Sequence, residues 1–109
     1  MNNNRRKKIK DIEQNILYCI SNKIYNILLF SSIKENILTV LTEEEEAYEN
    51  YPENLQNSFR GEAMQDAIRY LEESIQNLED IIENVNKEEN DILENIEECL
   101  DNLLNARLS

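Results

Sequence analysis

The 109-residue chain has no His and no Trp, and only one Gly, one Pro and two Cys. Each scarcity closes a route. Sandwiches and doubly wound sheets need many turns, and turns draw on Gly and Pro. Without His there is no imidazole base or His-held metal, and a single Gly cannot build a phosphate-cradling loop. Catalysis would then need two carboxylates in a pocket, for which a narrow helical protein has little room. The expectation is a non-enzymatic protein without cofactor or metal. Cys19 and Cys99 are too few for a disulfide scaffold and lack CxxC spacing, so they read as free thiols in a cytosolic chain. The start of the chain, Met1 to Lys8, shows no signal-peptide pattern. The most apolar stretch, 16–33, is interrupted by Asn22, Lys23 and Asn26 and makes a poor membrane span.

What is present is acid and aliphatic. There are 23 acidic and 11 basic residues, a net charge of −12, and the mean hydropathy is −0.66. Such a balance could mean disorder, but 14 Ile and 13 Leu argue for packed helices. The abundance of Asn, Ile, Glu and Lys matches the bias of an AT-rich genome, such as a low-GC bacterium or its phage.

The apolar positions follow a helical period. Ile9, Ile12, Ile16, Ile20, Ile24, Ile27, Phe30, Ile33, Ile37 and Leu41 recur every three or four residues, which predicts one helix over 5–48. Asn4 is its expected N-cap and Ser31-Ser32 its expected kink. Pro52 and Gly61 punctuate a bend over 49–61, with Pro52-Glu53 suited to the start of a short helical turn. Downstream, Met64, Ile68, Leu71, Ile75, Leu78, Ile82, Val85, Glu89, Ile92, Ile96, Cys99 and Leu103 alternate by four and three as a heptad seam, with Glu89 its one polar violation. This predicts a helix over 62–108, either continuous or broken near 86–91. The fold expected is a single all-α domain: an antiparallel helical hairpin or three-helix bundle. In the hairpin, Lys7 and Lys8 would lie against Glu98 and Asp101. The seam is more apolar surface than one thin hairpin can cover. Self-association through Ile68, Leu71, Ile75, Leu78, Ile82, Ile92, Ile96 and Leu103 is therefore expected.

Two features point to a partner. The outermost heptad position reads Asp66, Glu73, Asp80, Lys87, Glu94, Asp101, with Glu72 and Glu79 beside it. A row of carboxylates at about 10.5 Å spacing can stand where a basic groove expects phosphates. The bland reading is a solvated outer face. The second feature is the bend, where Tyr48, Tyr51, Phe59 and Arg60 are of the types enriched at interface hot spots. The bland reading there is aromatics sealing the hairpin end.

The elements Arg5-Arg6-Lys7, Glu43-Glu44-x-Glu46-Ala47-Tyr48, Asn50-x-Pro52-Glu53-x-Leu55-Gln56 and Ser58-x-Arg60-Gly61-Glu62-x-Met64 occur in order. In these the chain resembles a group of small, uncharacterised acidic phage and prophage proteins. It departs from them in a longer first helix, in Phe59 where an acid is usual, and after Val85. The resemblance implies a mobile-element origin and no particular activity.

The functional expectation is a phage-type acidic protein that binds a basic surface of a host protein in the bacterial cytoplasm. A nucleic-acid-handling defence system is the leading target class, through anti-CRISPR or anti-restriction inhibition by nucleic-acid mimicry. Direct nucleic-acid binding and membrane association are not expected. The alternatives are a nucleotide sponge using Arg5, Arg6 and Arg60, and a structural assembly oligomer.

Overall fold

The structure, a computed structural model, describes residues 1–84 and 89–109, and residues 89 and 90 by backbone only. Four helices follow one another: α1 (Asn3–Ser21), α2 (Ile27–Glu49), α3 (Phe59–Glu83) and α4 (Glu89–Leu108), with a 3₁₀ turn, Glu53–Leu55, before α3. No strand occurs among the described residues. The all-α expectation holds, with four helices in place of a hairpin or three. Each helix packs against its chain neighbour, and α1 against α4 closes the ring. The up-down-up-down bundle so formed measures 48 × 21 × 19 Å.

The expected helix over 5–48 is two helices, because the chain turns back at 22–26. Lys23 takes φ 51, and its N–H donates to the Ile20 carbonyl while that of Ile24 donates to the Cys19 carbonyl. This is a Schellman ending with Lys where Gly is usual. Asn26 then restarts the helix, its side chain accepting from the N–H groups of Leu28 and Leu29. Ser31 and Ser32 lie inside α2 and break nothing. The first N-cap is Asn2 rather than Asn4, accepting from the Arg5 N–H at 2.9 Å. Pro52 stands immediately before the 3₁₀ turn, with Glu53 in its first turn. Gly61 is helical, three residues past the Ser58 cap. It is required there because a Cβ would strike the main-chain carbonyl of Gln56.

The heptad seam is absorbed inside one chain. Leu71, Leu78, Ile92, Ile96 and Leu103 are buried in a core with Ile9, Ile12, Ile16, Phe30, Ile33 and Ile37. Ile68, Ile75 and Ile82 are half-buried against that core. On α3 the face turned inward also carries Ala67, Ser74, Asn77 and Ile81, one step round from the expected stripe. Most of the apolar seam that argued for self-association is thus covered by α1 and α2, with Ile68, Ile75 and Ile82 left half-buried. Val85 and the Glu89 carboxylate, the expected seam violation, lie outside the described residues.

One layer between α3 and α4 is polar. Asn102 Nδ2 donates to Asn77 Oδ1 at 2.8 Å, and Cys99 Sγ lies 3.6 Å from the Ser74 carbonyl oxygen it donates to. A satisfied polar pair in a core fixes register, since sliding by a turn would bury both amides unpaired. Both cysteines are free and buried.

Candidate functional site

Charge is divided along the chain: residues 1–42 hold seven basic and three acidic residues, residues 43–109 twenty acidic and four basic. The bundle pairs much of the first group internally. Arg5 Nε meets Glu44 Oε2 at 2.6 Å and Lys8 Nζ meets Glu43 Oε1 at 2.7 Å. Arg6 donates to the carbonyl oxygens of Arg107 and Ser109 at 3.1 Å each, where the negative end of the α4 dipole welcomes a cation. Arg107 in turn pairs with Glu13 at 2.8 Å. Arg5 and Lys8 of the basic leader are therefore neutralised internally, but by the Glu43–Glu44 pair of α2 and not by Glu98 and Asp101, while Lys7 and Lys10 stay exposed. The doubling back at 22–26 brings this about. A cradle of Arg5, Arg6 and Arg60 is not assembled, since the first two are committed inward and Arg60 is exposed on α3.

The expected acidic row folds in half. Asp66, Glu73 and Asp80 lie on α3, and Glu94 and Asp101 on the antiparallel α4; Lys87 is outside the described residues. On α3 the row is interrupted: Arg69 lies 3.5 Å from Asp66 and 3.7 Å from Glu73. Its guanidinium also sits 4.5 Å from the Tyr70 ring centroid. Asp80 accepts from Gln76 at 3.1 Å, and Glu79 pairs with Lys34 at 3.6 Å. Glu72 is exposed on the α2 side. Hence α3 offers a mixed surface.

The uninterrupted acidic surface is on α4. Asp91, Glu94, Glu97, Glu98 and Asp101 are all exposed. At 100° per residue they share an arc of about 120°, opposite Ile92, Ile96, Cys99 and Leu103. Among the described residues none of the five forms an ion pair. Five charges over residues 91–101 give about one per 3.8 Å of axis, close to the 3.4 Å of a single nucleic-acid strand. Of these five, sequence reasoning about the outermost heptad position alone reached only Glu94 and Asp101. The full arc, b and c positions included, would have found Asp91, Glu97 and Glu98.

The bend does not form one aromatic cluster. Gln65 donates to the Tyr48 hydroxyl at 2.9 Å and to the Gln56 carbonyl at 3.2 Å. Gln56 donates to the carbonyls of Tyr48 and Tyr51. Both tyrosines are half-buried by this net. Phe59, at the start of α3, is 91% exposed and seals nothing.

Among the described residues no helix is long and apolar enough to cross a membrane. Fold and surface together define a strongly acidic four-helix bundle. No protein-family model, curated protein or solved structure matches the chain.

Proposed function

We propose that the protein is a non-catalytic inhibitor that presents the α4 carboxylates to a basic, nucleic-acid-handling host protein in place of a nucleic-acid strand. The phage-type resemblance suggests a defence enzyme of the anti-CRISPR or anti-restriction target class, met in the bacterial cytoplasm. The observation that carries this reading is the α4 arc: five exposed carboxylates without an ion-pair partner among the described residues, at nearly the linear charge density of a nucleic-acid strand. A solvated helix face needs no such bias, because interspersed charges of both signs serve solubility as well. The inward commitment of Arg5 and Arg6 weighs against a nucleotide sponge.

The test is a pull-down from bacterial lysate with the wild type and with Asp91, Glu94, Glu98 and Asp101 changed to Lys. These side chains lie outside the core, so the variant keeps its helical circular dichroism. A retained basic protein should be displaced by excess duplex oligonucleotide and released at about 0.5 M salt, where screening is strong. It should be lost with the variant. A complex that survives both treatments would reject the mimic and direct attention to Phe59 and Arg60.

A further inference from the structure

The register of α2 against α3 is set at two points, by Lys34 with Glu79 and by Tyr48 with Gln65. It places Glu45 opposite Ile68 and Leu38 opposite Ile75. At the lower end of this seam is an open groove of about 370 Å³ lined by Glu45, Tyr48, Glu49, Gln65, Ile68 and Glu72. Further up, Leu38 is 41% exposed and Ile75 half-buried. Ile68 and Ile75 are therefore seam residues of α3 that the core does not fully take up. Seven residues apart, they stand about 10.5 Å from each other along the helix, the spacing at which a docked helix offers side chains i and i+7.

The rim of the groove has one sign where it is unpaired. Glu45, Glu49 and Glu72 make no ion pair among the described residues. The Tyr48 ring, held by the bond from Gln65, supplies a face to which cations are drawn. An apolar floor between acidic walls fits a helix with aliphatic side chains on one stripe and Lys or Arg beside them.

We propose that the α2–α3 groove is a docking site for a basic amphipathic helix of the partner protein. This rests on the reading that the partner is a basic protein, but it uses a different face from α4. The aliphatic stripe of the helix would lie on Ile68, Leu38 and Ile75, with its cations against Glu45, Glu49 and Glu72.

The probe is a fluorescein-labelled synthetic helix of Leu, Ala and Lys with Leu at i, i+4 and i+7. Its controls are a scrambled sequence of the same composition and a version with Glu in place of Lys. Titration into the full chain at about 0.15 M salt, where charges beyond about 8 Å are screened, should show binding of the first peptide alone. Amide and methyl NMR shifts should gather on Tyr48, Ile68, Leu38 and Ile75. The double variant Glu45→Lys/Glu72→Lys should weaken binding about tenfold, and the α4 variant should change it less than threefold. Three results would overturn the proposal: equal binding of the scrambled peptide, an unchanged affinity in the double variant, or shifts gathered on α4. A dimer of the protein alone with shifts in the groove would assign it to a second copy instead. Loss of the lysate partner in the α4 variant alone would leave the inhibitor reading standing while the groove fails, so the two are separable.

Discussion

Replacing Arg5 with Met tests the seating of α1 on the bundle. The Glu44 side chain is 0% exposed and that of Arg5 14%, with 2.6 Å between Nε and Oε2. The other carboxylate oxygen has no hydrogen-bond donor and only the Met1 amino group, 3.6 Å away. Removing Arg5 strands a buried charge, which typically costs about 3–5 kcal/mol. The nearby amino group places the loss at the lower end, about 3 kcal/mol. Against a total of roughly 5–15 kcal/mol, that lowers the melting temperature by on the order of 10 °C. Removing both charges in Arg5→Met/Glu44→Met takes away the buried carboxylate and leaves only the Met1 amino group without its partner, so the double variant should be clearly more stable than Arg5→Met alone. Lys8→Ala is the control, because its pair with Glu43 is 42% and 33% exposed and contributes about 0–1 kcal/mol. Urea unfolding of the four proteins by circular dichroism gives the comparison. If Arg5→Met loses less than about 1 kcal/mol, or the double variant is no better than the single, then Glu44 does not sit as a buried charge beneath α1.

Three further outcomes follow from the geometry. Lys23→Gly should stabilise the fold by about 0.5–1 kcal/mol in thermal unfolding, since relief of the left-handed backbone exceeds the added freedom of the unfolded chain; a loss would mean that the Lys side chain matters more than its φ. Gly61→Ala should destabilise by about 1–3 kcal/mol, because the new Cβ meets main chain that cannot swing aside, and an unchanged denaturation midpoint would contradict the close approach to Gln56. Burial pushes the Cys99 thiol up to about 12, with the Glu98 carboxylate adding to it, and burial also raises Cys19. Both thiols should resist a disulfide reagent at pH 8 until denaturant is added. Unfolded thiols ionise near their ordinary 9.0 while folded Cys99 holds its proton. Its contribution is therefore whole below pH 9 and falls between 9 and 12, by at most about 1.4 kcal/mol per pH unit.

The helical class and the helical character of the downstream half were legible because Ile and Leu keep a strict period and Pro52 and Gly61 mark the bend; whether that half was one helix or two was left open. The turn at 22–26 was not. It lies within an unbroken period of isoleucines and uses Lys23 where the usual signal is Gly, so only the polar run Asn22-Lys23 and the capping Asn26 betray it. That one omission propagates. It turns a four-helix bundle into a hairpin or a three-helix bundle, leaves uncovered the part of the seam that α1 and α2 cover, and sends the basic leader to the wrong acids. The position of the seam on α3 erred for another reason. Ala67 and Ser74 are inward because helices approach closely there, and small residues carry no hydropathy signal strong enough to compete with Ile68 and Ile75. The acidic surface was legible as composition. Its location on α4 required knowing that Arg69 interrupts the α3 row while no described cation answers the α4 one.

Salt then acts on two populations of charge in opposite directions, and burial decides which prevails. Ion pairs that seat α1 favour the folded chain, so screening them would lower stability. The exposed carboxylates repel one another in a protein of net charge −12, so screening them raises it. The strongest seating pair is Arg5 with Glu44, at 14% and 0% exposure, and buried pairs are screened little. Lys8 with Glu43 is more open, yet such a pair contributes at most about 1 kcal/mol to begin with. The five α4 carboxylates are all exposed and span about 15 Å. That lies within the screening length of roughly 30 Å at 0.01 M and beyond the roughly 8 Å at 0.15 M, so raising salt through this range weakens their repulsion, most of all between the two ends of the row. The melting temperature should therefore rise between about 0.01 and 0.15 M sodium chloride. In the variant with Lys at 91, 94, 98 and 101 the rise should shrink, because the self-repulsion is already gone. A wild-type melting temperature that falls over the same range would show that α1 is held chiefly by exposed ion pairs, and that Glu44 is reached by solvent.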